Sequence, residues 1–336
     1  MAGAIVRRRM YGLLAMNSAA TRLLRRTAFI LAVHCSVFPG VAAAVAGPVL
    51  GWGLDNFGQA TPPDSVNGTS GSGSAISAGY FHNCAIQSAS SVVVCWGDNT
   101  YGQSTPPASV NGTSGAATAI SAGNNHTCAI QFGSSAVVCW GDNSHGQLTP
   151  PDSVNGTSGM AVAISAGAHH GCAIQAGSYA VQCWGENSYG QSTPPDFVNG
   201  VSGTATAISA GNNHNCAIGS RNRAVVCWGD NTFGKSIPPA SVDGASGTAA
   251  VISAGNNHSC AIQAGNRPVV CWGENTFGQA IPPDSVSGTY GAALAIASGG
   301  DHSLAIAVPE PGFGVSLVSA MALLARLNSR KRKNGR

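Results

Sequence analysis

Residues 124–143 read NNHTCAIQFGSSAVVCWGDN, and two features of this stretch decide the fold. HTCAIQ alternates in the two-residue period of a half-buried strand, and AVVCW is a β-branched, apolar strand. The Gly/Ser connection FGSS between them is short enough only for a hairpin. Cys128 and Cys139 lie at equal distances from that turn, so they face each other across the two strands, at a separation a disulfide spans. Upstream, AISAG (119–123) is a third short strand ending in glycine. Downstream, GDNSHGQLTPPDSVNGTSG (141–159) is turn chemistry, because Pro-Pro cannot join a central ladder.

The wording recurs. Tryptophans stand at Trp52, Trp96, Trp140, Trp184, Trp228 and Trp272, each 44 residues after the last. The same step carries His82, His126, His170, His214, His258 and His302, and the proline pairs from Pro62-Pro63 to Pro282-Pro283. Six copies account for residues 47–308 and leave little over. A strand-rich repeat of this length predicts the blades of an all-β propeller. Abundant glycine (45 residues) and sparse charge (9%) suit many short strands joined by tight turns.

The pairing of AISAGNNHTCAI with VVCWGDNSHGQ resembles the regulator of chromosome condensation repeat, whose members form β-propellers. Gly-x-x-His, the strand-ending Trp-Gly and the Gly-Gln seven residues after the tryptophan carry the likeness through all six copies. Asp55, where other copies have asparagine, and Lys235, in place of glutamine, depart from the pattern. Many relatives have seven blades, so six repeats is itself a departure.

Ten cysteines occupy the repeats: Cys84 and Cys95, Cys128 and Cys139, Cys172 and Cys183, Cys216 and Cys227, Cys260 and Cys271. Pairing within each hairpin leaves none over, whereas linking each second cysteine to the next first one strands Cys84 and Cys271. The last copy has Leu304 where its first cysteine belongs, and the first has Gly51 where its second belongs. If the N-terminal strand VLGWG closes the ring by pairing with the last repeat, those two residues meet in the sixth hairpin. The reading is therefore a ring of six 44-residue repeats closed without a covalent bond. A His-Cys-Cys zinc site is the alternative use of these side chains. His302 persists without either cysteine, which favours disulfides and leaves the histidines as buried hydrogen-bonding residues.

Residues 1–46 hold six arginines and no acid, with an apolar run from Thr27 to Phe38 and then small residues. That order predicts a secretory signal peptide with cleavage near Ala44-Val45-Ala46. Residues 309–336 place Pro-Glu-Pro before a short apolar stretch and the basic cluster Arg330 to Lys333. This tail resembles the PEP-CTERM sorting signal of Gram-negative bacteria, which implies transient membrane association before processing. The intervening 47–308 carry four basic and twelve acidic residues, a net charge of −8.

An acidic body argues against nucleic acid as a partner, since such affinity is built on phosphate neutralisation. Ser, His and Asp occur in every copy, and no set present once and grouped forms a catalytic constellation. The expectation is a non-enzymatic binding or structural module of the cell envelope or extracellular matrix, without metal or cofactor. Its partner is a protein or an anionic polysaccharide. Arg221, Arg223 and Arg267, in equivalent turns of neighbouring repeats, are the candidate basic patch for the latter. The family likeness also implies, as a weaker reading, nucleotide exchange with chromatin binding. A hydrolase with a loop-built site is weaker still.

Overall fold

The structure is a computed structural model that describes residues 46–289 and 291–308. The segments expected to be a signal peptide and a sorting tail lie outside the described residues, apart from Ala46. Five successive repeats each form a three-stranded antiparallel sheet. These are β1 (Gly73–Ala78), β2 (His82–Gln87) and β3 (Val93–Gly97), then β4 (Ala117–Ala122), β5 (His126–Gln131) and β6 (Val137–Gly141). Next come β7 (Ala161–Ala166), β8 (His170–Gln175) and β9 (Val181–Gly185), and β10 (Ala205–Ala210), β11 (His214–Gly219) and β12 (Val225–Gly229). The fifth sheet is β13 (Ala249–Ala254), β14 (His258–Gln263) and β15 (Val269–Gly273); β16 (Ala293–Ser298) and β17 (Ser303–Ala307) form a sixth, two-stranded sheet.

The strand pattern follows the local chemistry. In the second hairpin Gln131 N donates to Ala136 O, which closes the turn, and Ser135 takes a positive φ of 53°. The strand ends at Trp140-Gly141 because Gly141 has φ +111° and a Cβ there would meet Asn125 O at 2.5 Å. Each hairpin sets its two cysteines opposite one another, as in Cys128↔Cys139. All five pairs are disulfide-bonded, with Cα–Cα separations of 4.0–4.1 Å.

The core lies between sheets as a series of similar apolar seams. In one of them Cys84, Ile86, Val93 and Val110 pack against Ile120, Ala129, Val138 and Trp140 of the following repeat. The same set recurs from seam to seam. Stability is therefore distributed along the array, each repeat depending on its neighbours.

The closing strand pair differs from expectation. Gly47 bridges Gly73, and Val49 N donates to Val66 O, so the N-terminal stretch is held by the first repeat. Among the described residues, β17 pairs only with β16. Leu304 and Gly51 do not meet, and the sixth sheet lacks its third strand. The described residues thus show five full repeats and one partial one.

Each bridge closes a short loop of eleven residues, for which the loop-entropy estimate is about 3 kcal/mol. Replacing Cys172 and Cys183 by alanine should lower unfolding free energy by that order in denaturant titrations. Intact mass after alkylation without reduction should show the remaining eight repeat cysteines unmodified.

Candidate binding surface

The repeated histidines are buried at the joints between repeats. His82 Nε2 lies 2.7 Å from Thr127 Oγ1, His170 Nε2 2.8 Å from Asn215 Oδ1, and His214 Nε2 2.8 Å from Ser259 Oγ. His258 Nε2 lies 2.8 Å from Ser303 Oγ. Each contact reaches the residue 45 positions on, in the second strand of the next repeat. Beside it, a serine in the first strand accepts from the next repeat, as Ser121 Oγ does from Ala166 N at 2.9 Å. Each strand-ending tryptophan then reaches back, with Trp140 Nε1 donating to Gln103 O and Trp184 Nε1 to Gln147 O, both at 2.9 Å. Three polar ties thus accompany the seams between the first and second, third and fourth, and fourth and fifth repeats.

One joint breaks the rule. The acceptor for His126 would come from position 171, which is glycine, and both ring nitrogens of His126 are buried without a partner. The Trp184 ring fills the freed space, 2.6 Å from where a Cβ of residue 171 would stand. His302, in the incomplete sixth repeat, is exposed.

Burial makes the charged imidazolium costly. Desolvation depresses His82 and His170 to about 4, and His126 and His214 to about 3. These groups are therefore neutral when folded at neutral pH. Among the described residues, no three His, Cys, Asp or Glu side chains are grouped to hold a metal ion. The cysteines are joined to one another instead.

The turns after Trp96, Trp140, Trp184 and Trp272 are each built around a buried glutamine, Gln103, Gln147, Gln191 and Gln279. In the first full repeat Gln103 Oε1 accepts from Tyr101 N at 2.8 Å, while its Nε2 donates to Asp98 Oδ2 at 2.8 Å. Asp98 also accepts from the Thr100 amide and hydroxyl. The amide-to-glutamine bond recurs at Phe57, His145, Tyr189 and Phe277. It holds the backbone of an aromatic or imidazole residue whose ring faces solvent: Tyr101, Tyr189 and Phe277 are all more than half exposed. Carboxylates of Asp98, Asp142, Glu186, Asp230 and Glu274 belong to the same turns. Three of these turns therefore offer an anchored aromatic ring beside an acid: Tyr101 with Asp98, Tyr189 with Glu186 and Phe277 with Glu274.

Two turns are unlike the rest. Where the others have glutamine, Lys235 is buried and its Nζ sits 2.7 Å from Asp230 Oδ2. Burial opposes ionisation of Asp230, but hydrogen bonds from Lys235 and Thr232 outweigh it and hold the carboxyl at about 2. In the second repeat, His145 Nδ1 lies 2.5 Å from Glu186 Oε2, and its ring stands 5.0 Å from that of His169. Burial and the neighbouring His145 lower His169.

The three arginines do not form a matched set. Arg223 and Arg267 occupy equivalent turn positions with φ of 55° and 63°. Arg267 donates from Nε to Ala293 O and from Nη2 to Leu294 O, so its guanidinium is engaged with backbone. Arg221 lines a separate cavity of about 370 Å³ with Phe197, Asn222 and Asp243. Sequence reading missed that an acid two residues after the tryptophan ties down the glutamine, as Asp98 does for Gln103 and Asp142 for Gln147. Their fixed spacing from that glutamine was the signal available.

With this geometry in hand, the model for the Regulator of chromosome condensation (RCC1) repeat matches residues 74–103, 117–147, 205–235 and 250–279. Four stretches of the chain thus match that repeat. No curated protein matches. Among solved structures, the CRINKLY WD40 ectodomain of the Arabidopsis thaliana receptor kinase ACR4 is similar at 26% identity and a TM-score of 0.54. That match covers 70% of this chain and 82% of the other. The entire ectodomain of the Physcomitrella patens receptor kinase CR4 aligns at 24% identity and a TM-score of 0.55, over 71% of this chain and 59% of that one. Prp20p of Saccharomyces cerevisiae, described with its binding to Gsp1p and histones, aligns at 19% identity and a TM-score of 0.55, covering 80% and 77%. These likenesses support a repeat-built β-propeller architecture.

Two outcomes test the polar design. Lys235→Gln restores the glutamine turn and should change unfolding free energy by less than about 1 kcal/mol, whereas Lys235→Met leaves Asp230 without its cation and should cost about 2–4 kcal/mol. The buried histidines, with ordinary values near 6.5 when unfolded, should each bind a proton on unfolding at pH 5.5. Stability should therefore fall as pH drops through 6.5, by about 1.4 kcal/mol per unit for each histidine. The four strongly shifted rings predict an uptake of three to four protons, measured from the pH dependence of unfolding free energy.

Proposed function

We propose that this chain is an exported, non-enzymatic repeat module that recognises a protein partner through its ring of aromatic turns. The observation that carries the reading is the set of anchored, exposed rings at Tyr101, Tyr189 and Phe277. Rings held by the backbone lose little entropy on binding and make effective anchors. Their neighbours are carboxylates on a body of net charge −8. Such a surface suits lysine- or arginine-bearing segments, which stack on the rings and pair with the acids.

Export is supported by the order of charged, apolar and small residues in 1–46 and by five disulfides, which persist in oxidising compartments. The receptor ectodomains among the similar structures agree with that address. Residues 309–336 would add a sorting step at a Gram-negative membrane. Among the described residues, no helix is long and apolar enough to cross a membrane. Anionic polysaccharide is the weaker partner, because the acidic body repels it and Arg267 is engaged with its own backbone.

Binding of the protein to immobilised basic and acidic peptides and to anionic glycans separates these readings. Basic peptides should bind, more weakly as salt rises. Replacing Tyr101, Tyr189 or Phe277 by alanine should each weaken binding by roughly 5- to 30-fold, about 1–2 kcal/mol. Binding to anionic glycans with none to basic peptides would overturn the proposal.

A further inference from the structure

The two ends of the array are the two halves of a seam found complete inside it. At the C-terminal end, Leu304 and Ile306 are 63% and 60% exposed, while their counterparts one repeat earlier, Cys260 and Ile262, are 1% and 0% exposed. Among the described residues β17 has no second strand partner, and a cavity of about 400 Å³ lies beside it, lined by Val269, Phe277, Ile296 and Leu304 among others. At the N-terminal end, Leu50, Trp52 and Ile76 are 73%, 86% and 68% exposed, against 8% for Trp272 and Ile252 at inner positions. A cavity of about 270 Å³ opens there between residues 49–54 and the first sheet.

The stretch 47–49 already sits as a third strand. Its bonds Gly73 N to Gly47 O and Val49 N to Val66 O repeat those of Ser91 with Ala117 and Val93 with Val110. What it lacks is the second strand of a hairpin, and what β17 lacks is a third. Extending the pairing Ile86↔Val93 by repeat register sets Ile306 opposite Val49. Trp52 would then donate to Gln279 O, as Trp272 Nε1 does to Lys235 O at 2.9 Å. An uncovered patch of this kind marks an interaction site, and an open strand edge recruits another strand.

We propose that the C-terminal edge of one copy receives the N-terminal strand of a second copy, head to tail. Both edges are open among the described residues, and each is the shape its opposite fits in every internal seam. Such a contact is heterologous, so it leaves a free edge at either end of a dimer, able to add further copies or to close a larger ring.

The test uses the full-length chain with single cysteines, Val49→Cys in one preparation and Ile306→Cys in another. Mixed under mild oxidation, they should give a product of doubled mass whose peptide map contains the 49–306 bond. Neither preparation alone should contain that bond. Adding Trp52→Asp to the first variant should abolish the linked product while the five native disulfides and the circular dichroism stay unchanged. A Val49→Cys, Ile306→Cys double variant that forms the bond within monomers, at a yield independent of concentration, would overturn the proposal in favour of closure by the chain's own strand. Absence of the bond in every preparation would overturn it as well.

Discussion

The joint between repeats rests on a buried, neutral imidazole. Each hairpin is too small to bury its own apolar face, so it survives only against the next one. The histidine fixes how that packing is registered, because its Nε2 meets a polar atom 45 residues on, at 2.7–2.8 Å in four joints. A buried polar group left unpaired costs about 1–3 kcal/mol, so a slipped or rotated repeat would be penalised at every joint. The disulfides act differently: they stiffen each hairpin from within and leave the packing between repeats non-covalent.

The exposed turns follow from the same economy. A buried glutamine spends its oxygen on the amide two residues before it in the same turn and, at Gln103 and Gln147, its nitrogen on a carboxylate. The ring at that position is thereby held on a tether without being packed away. Where lysine replaces glutamine, the carboxylate of Asp230 becomes an ion-pair partner rather than an acceptor for an amide. One scaffold thus tolerates chemical variation at the rim while its seams stay uniform. The joint at His126 is the exception, since Gly171 offers no acceptor and Trp184 moves into its place.

Much of this was legible in the sequence, for a physical reason. Strand alternation, the Trp-Gly stop and the equal spacing of Cys128 and Cys139 from their turn are local signals, and the structure realises them locally. Contacts between repeats were less accessible. The acceptor slot changes from Thr127 to Asn215 to Ser259, so no single letter marks it, and the serine rungs at Ser77, Ser121 and Ser165 look like ordinary strand residues. The closing of the ring was inferred from missing cysteines at Gly51 and Leu304. Those absences speak about complementary edges, and they are silent on whether the edges belong to one molecule.

The account stands or falls on the state of the buried rings. Nitrogen-detected NMR of the imidazoles in the folded protein, followed from pH 7.5 to pH 5, reads it directly. His82, His126, His170 and His214 should remain neutral single tautomers across that range, since burial holds them at about 3 to 4. Protonation of the four buried rings near pH 6.5 with the fold intact would contradict the account, because the joints would then be open to water.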